Sequence, residues 1–273
     1  MKDRWGKSGF AVARMVERSR RDELKTHRDR QEQGKERKWL FTNSPMSGEW
    51  SGAFETTFKH VLPQDYRNIK GGRGLEHYIA DTIRANHRTG NAIALEVAGP
   101  GDLLFEDLRK QGLIARSIGI CKGPFPDAAN IPAADAYTLI DGDALINRTY
   151  VQLRSIIGPH EQIDVILERA LGGLQVNHIM LTEFIEKVFG TWYGLLREGG
   201  VMFVQVPSYL DKTVEEWIAR VHAQYSDTLE IESNDADTAG IDRGDADPTH
   251  ALVMRLRKLS GAPATLPPLE IST

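Results

Sequence analysis

The run Glu96-Val97-Ala98-Gly99-Pro100-Gly101-Asp102 places a carboxylate and two glycines where a short apolar stretch, Ala92 to Val97, gives way to helix-forming residues. Glycines at such a junction let the backbone come close to a ligand and turn into a helix, whose first N–H groups can receive a carboxylate or phosphate. Further on, Asp141-Gly142-Asp143-Ala144 follows a second stretch of this kind, and Asp143 can accept a hydrogen bond from an amino group. Glu168-Arg169 follows Ile163 to Leu167; with His178 these residues offer a base, an anion ligand and an orienting group toward a hydroxyl or carboxylate. Each also has a plainer reading: a tight turn at Gly99 to Gly101, a turn acid at Asp143, a capping histidine at His178. Cys121, ahead of Lys122, reads as a small buried residue rather than a reactive thiol.

Other short patterns lack the residues their chemistry needs. Gly71, Gly72 and Gly74 are not followed by Lys-Ser or Lys-Thr at phosphate-loop spacing and read as a hinge. Asp235 and Asp237 begin like a calcium loop, but Ala239 and Ala246 stand where two oxygen ligands belong. Lys122 would suit a 2′-phosphate, yet Leu104 occupies the place of the third dinucleotide glycine. No metal site is expected.

The elements that must position the candidate residues alternate. Leu75, Tyr78, Ile79, Thr82 and Ile83 recur at helical spacing, and strands are expected at 92–97, 114–120, 137–140, 163–167, 201–206, 228–232 and 251–257. Helices are expected at 103–111, 147–157, 177–197 and 214–224, whereas the proline-rich stretch 123–132 is a poor helix. This order predicts an α/β fold, a doubly wound, mostly parallel seven-stranded sheet with its crevice beyond the strands' carboxyl ends. The last two strands have no helix between them, so a C-terminal antiparallel hairpin is expected.

Composition and charge frame this domain. The chain has 273 residues, 41% of them apolar, and a single cysteine, so a disulfide scaffold and a cysteine-based zinc cage are both excluded. With no long apolar run and a charged N-terminus, a soluble, cytoplasmic protein that does not engage a membrane is expected. Residues 1–40 carry 13 Lys or Arg against 7 Asp or Glu, which leaves the remainder at net −10. This basic, partly helical extension either contacts a polyanion or protein partner or is simply solvated. Residues 41–74 are turn-rich and aromatic, an expected wrap or lid; residues 75–258 form the α/β domain; residues 259–273, with three prolines, read as an extended, mobile tail.

Taken together, the Glu96-to-Leu104 run, the Asp141-to-Ala144 run, the Leu195-to-Val201 run before the fifth strand and the closing hairpin resemble the class I methyltransferases that use S-adenosylmethionine (SAM). The resemblance covers residues 75–258. It implies SAM as cofactor and a small-molecule or macromolecular methyl acceptor. It further implies that Glu96, Ala98, Gly99 and Gly101 lie near the cofactor's amino-acid part, and Asp143 and Ala144 near adenine. Cys121 stands where the family has an acid for the ribose hydroxyls, and Glu168 where acceptor and cofactor meet. The chain departs from the family pattern in a glycine loop shorter by one residue, with Ala98 in place of a glycine, and in the Cys121-Lys122 ending. The alternative those departures favour is a catalytically inactive member acting as a binding or structural subunit.

Overall fold

The computed structural model describes residues 74–97, 101, 105–121, 137–168, 185–206, 211–236 and 251–269. The segments 1–40 and 41–73, the proline-rich stretch 122–136 and the residues Ala98, Gly99, Lys122, Arg169 and His178 lie outside them.

Helix α1 (Gly74–Ala85) leads into β1 (Ala92–Val97), the short α2 (Glu106–Lys110) and β2 (Ile114–Cys121). Then come β3 (Tyr137–Asp141), α3 (Asn147–Ile157) and β4 (Ile163–Glu168). A π-helical stretch, Glu186–Trp192, runs into one α-turn, Tyr193–Leu195; together they are α4. Strand β5 (Leu196–Val206), α5 (Asp211–Tyr225), β6 (Leu229–Ala236) and β7 (Ala251–Lys258) complete the order.

The seven strands form one sheet in the order β3-β2-β1-β4-β5-β7-β6. The first five run parallel, and β7 inserts antiparallel between β5 and β6. Every residue of β1 and β4 is buried, which explains their nearly unbroken apolar runs: a parallel strand covered on both faces has no solvent side to make polar. Leu95, Val97, Ile118, Ile120 and Ile166 face a core closed by Tyr150 and Leu153 of α3, Val188 and Trp192 of α4, and Val214 and Trp217 of α5. Ala94, Val165, Leu167 and Phe203 face the other core, closed by Tyr78, Ile79 and Ile83 of α1 with Phe105 and Leu108. The doubly wound sheet and its C-terminal antiparallel pair are as the sequence predicts.

Two expectations need correction. Strand β5 begins at Leu196, not Val201, and α4 correspondingly ends at Leu195. Gly199, at φ +81°, sits where the β4–β5 register shifts between Ile163 and Val165, so the glycine pair is a strand irregularity rather than a turn before the strand. Of the helix expected at 103–111, α-helix is described over Glu106–Lys110, and Leu103 and Leu104 lie outside the described residues. Second, the tail is packed as far as residue 269: Leu266 and Leu269 join the α3–α5 core, Tyr193 Oη donates to Pro263 O (2.6 Å) and Trp217 Nε1 to Pro267 O (2.9 Å).

The amino ends of the central strands are clamped by buried Asp164. Its Oδ2 accepts from Ile93 N (2.8 Å), and its Oδ1 accepts from Arg88 Nε (3.0 Å) and lies 3.5 Å from Arg197 Nε. That clamp leaves the opposite, carboxyl edge as the place for chemistry.

Candidate functional site

Strand β1 lies between β2 and β4; the chain leaves β1 toward β2 on one side and β4 toward β5 on the other, so the β1/β4 junction is the switch point of the sheet. Glu96, Cys121, Asp143 and Glu168 all stand at or just beyond carboxyl ends of parallel strands, on the edge where that crevice opens. Val97 pairs with Glu168 and Glu96 with Leu167, so the fully buried carboxylates of Glu96 and Glu168 point to opposite faces of the sheet.

Glu96 grips the end of the glycine loop. Its Oε2 accepts from Gly101 N at 2.6 Å, a charge-assisted bond between residues five apart. Gly101 has φ +72°, and a Cβ there would meet Gly119 N and Ile118 C at 2.4 Å. Gly101 therefore lies directly on the backbone of β2, a position only glycine can occupy. From the far side Arg109 of α2 donates to Gly101 O (3.2 Å) and to Ser117 Oγ (2.5 Å), which ties loop, helix and β2 together.

The Asp143-Ala144 loop is held as firmly. Asp143 Oδ1 accepts from Leu145 N (2.9 Å), its carbonyl accepts from Thr149 Oγ1 (2.7 Å), and Ala144 O accepts from Tyr150 Oη (2.7 Å). Asp143 is thus a turn-forming acid at the least. Tyr150 Oη in turn accepts from Trp192 Nε1 at 2.5 Å. Burial pushes the Tyr150 hydroxyl well above the usual phenol range, against the lowering effect of the Trp192 bond, so it is a proton donor throughout the neutral range. Lys187 of α4, also buried, donates to Asn147 Oδ1 (2.7 Å) at the start of α3, with its Nζ 5.9 Å from the Tyr150 ring centroid.

Of the residues singled out in the sequence, Glu96, Gly101, Asp143, Ala144 and Glu168 are described in full, and Cys121 closes β2 in register with Asp141. Sequence reasoning missed Arg109, Ser117, Thr149, Tyr150 and Trp192. The nearest available signal was the Thr149-Tyr150 pair in the first turn after the Asp-Gly-Asp loop; nothing local pointed to Arg109 or Trp192. Among the described residues no group of His, Cys, Asp and Glu is arranged to hold a metal ion, and no helix is long and apolar enough to cross a membrane.

No protein-family model matches the sequence, and no curated protein sequence matches it. Solved structures do. A TehB-like SAM-dependent methyltransferase from Corynebacterium glutamicum is 16% identical over 66% of this chain and 86% of its own, with a TM-score of 0.40. The plantazolicin methyltransferase BpumL, solved with a desmethylplantazolicin analogue and SAH (S-adenosylhomocysteine), is 13% identical over 77% of this chain and 99% of its own, TM-score 0.38. The O-methyltransferase TomG from Streptomyces achromogenes, solved with SAM, is 16% identical over 76% and 88%, TM-score 0.38. In this chain the fold is defined by its own strands: five parallel, the crossover from β3 to β4 past β2 and β1, and β7 inserted antiparallel beside β5. The chain has a seven-stranded, doubly wound α/β fold, mostly parallel with a C-terminal antiparallel pair.

Proposed function

We propose that this chain transfers a methyl group from SAM to an acceptor bound at the carboxyl edge of β1 and β4. The observation that carries the reading is the gathering of Glu96, Asp143 and Glu168 on that edge, around the β1/β4 switch point. The donor sets at two ends suit the cofactor. The glycine loop, anchored at Gly101 by Glu96, suits a close approach by the cofactor's amino-acid part, and Asp143 offers an oxygen acceptor to an amino group. At the end of β2, Cys121 supplies no paired oxygens for ribose hydroxyls, so modest affinity is expected.

When bound, SAM supplies an electrophilic methyl group on a sulfonium centre. The chain's own part is positioning. Glu96 fixes the loop; Ala98, Gly99 and Gly101 bring backbone close to the amino-acid part; Asp143 and Ala144 contact adenine. Glu168, on the face of Val97, takes the proton from a hydroxyl or amine acceptor at its carboxylate oxygens. Alignment of acceptor and methyl group supplies most of the rate enhancement. Residues 1–40, with their +6 net charge, steer a polyanionic acceptor or partner toward an otherwise acidic protein.

A thermal-shift titration with SAM and SAH, followed by calorimetry, tests this. A saturable rise in melting temperature is expected, equivalent to about 2.7 kcal/mol at a hundredfold excess over Kd. No heat at millimolar ligand, from a protein with an intact cooperative melt, would overturn it and leave the inactive binding subunit as the reading.

A further inference from the structure

Two adjacent residues of α3 hold two adjacent carbonyls of the loop that precedes it. Thr149 Oγ1 donates to Asp143 O and Tyr150 Oη donates to Ala144 O, both at 2.7 Å. The fit is close, because a Cβ at Gly142 would stand 2.8 Å from Thr149 Oγ1. Tyr150 is itself oriented from behind by Trp192 Nε1, and the start of α3 is tied to α4 by the Lys187–Asn147 bond. A hydroxyl that accepts from an indole N–H has its own proton left for one direction, here toward Ala144 O. Such a chain of bonds to a five-residue connection exceeds what joining β3 to α3 requires.

We propose that Thr149 and Tyr150 are the positioning residues for adenine recognition, setting the loop so that the Asp143 carboxylate meets the base's exocyclic amino group. This rests on the reading that the crevice takes SAM. With both carbonyls drawn inward, the base meets the Asp143 side chain and the loop's N–H groups rather than carbonyl oxygens. Selectivity for an amino group over an oxo group at that position then depends on two hydroxyls that do not touch the ligand.

The test uses the full chain and calorimetry with two ligands, SAH and S-inosylhomocysteine, in which an oxo group replaces the amino group. Wild type is expected to prefer SAH. Tyr150→Phe, which keeps the ring, should weaken SAH binding about tenfold and shrink the preference for SAH by about threefold or more, the scale of one lost orienting hydrogen bond. Thr149→Val should act in the same direction; it carries the test if Tyr150→Phe does not give a cooperative melt. A purely structural role would weaken both ligands alike and leave the ratio unchanged, and that result overturns the proposal. No binding of either ligand by wild type would instead remove the reading of the crevice itself.

Discussion

Glu96 and Gly101 are joined across the head of β1 by a 2.6 Å hydrogen bond from the Gly101 N–H to a fully buried carboxylate oxygen. A buried carboxylate is costly to desolvate, and a donor fixed by the adjacent loop offsets part of that cost. The bond also holds Gly101 close against Ile118 and Gly119 of β2.

Gly101→Ala tests that geometry. The added Cβ meets backbone at 2.4 Å and the residue keeps a positive φ, so neither a rotamer change nor a flexible neighbour relieves it. We expect a loss of about 2–4 kcal/mol in urea unfolding, the scale of backbone strain combined with a core clash. A midpoint within error of wild type would mean that Gly101 does not rest on β2.

Cys121→Asp tests the missing ribose acid. Strand β2 ends at this residue, beside Asp141 of β3. A carboxylate reaching both ribose hydroxyls should tighten SAH binding by about 1–2 kcal/mol. Calorimetry on both proteins measures it; unchanged or weaker affinity in a folded variant would place the ribose elsewhere.

Lys258 carries a pH dependence. Its Nζ is buried against the Tyr193 ring, 3.9 Å from the centroid, and donates to Tyr193 O (2.6 Å) and Leu196 O (2.9 Å) at the end of α4. Burial lowers its pKa from 10.5 to about 8. Between those values the unfolded chain binds more protons than the native one, so the Lys258 contribution to stability rises with pH. We expect a gain on the order of 1–2 kcal/mol between pH 8 and about 9.5, relative to Lys258→Met, in denaturant titrations. The upper limit keeps the comparison below the range in which tyrosines titrate in the unfolded chain. A difference between the two proteins that is flat with pH would overturn the assignment.

Deleting residues 262–273 tests the packed tail. Leu266 and Leu269 leave the core, and the Trp217 indole and Tyr193 hydroxyl lose their acceptors at Pro267 and Pro263. Each leucine is worth about 1.5–3 kcal/mol when fully buried, so a clear fall in unfolding midpoint is expected. A freely mobile tail would leave the midpoint unchanged.

The amino-acid sequence by itself determined the elements whose signals are local. The apolar runs of β1 and β4, the helical spacing of α3 and the turn residues at Asp141 to Asp143 are set within a few residues, by backbone preference and by which faces are buried. That is why Glu96, Asp143 and Glu168 could be placed at strand ends. Tertiary structure decided the rest. That Glu96 and Glu168 face opposite layers follows from β1–β4 pairing, which joins segments about seventy residues apart. Leu196 belongs to β5 because β4 is there to pair with it; alone, the stretch reads as a helix end before glycines. The tail is rich in proline and looks mobile, yet two leucines find a groove that only the docking of α4 and α5 on the sheet creates. The bonds from Arg109 to Gly101 and from Trp192 to Tyr150 likewise depend on which helix lands on which face, information held in packing between distant segments.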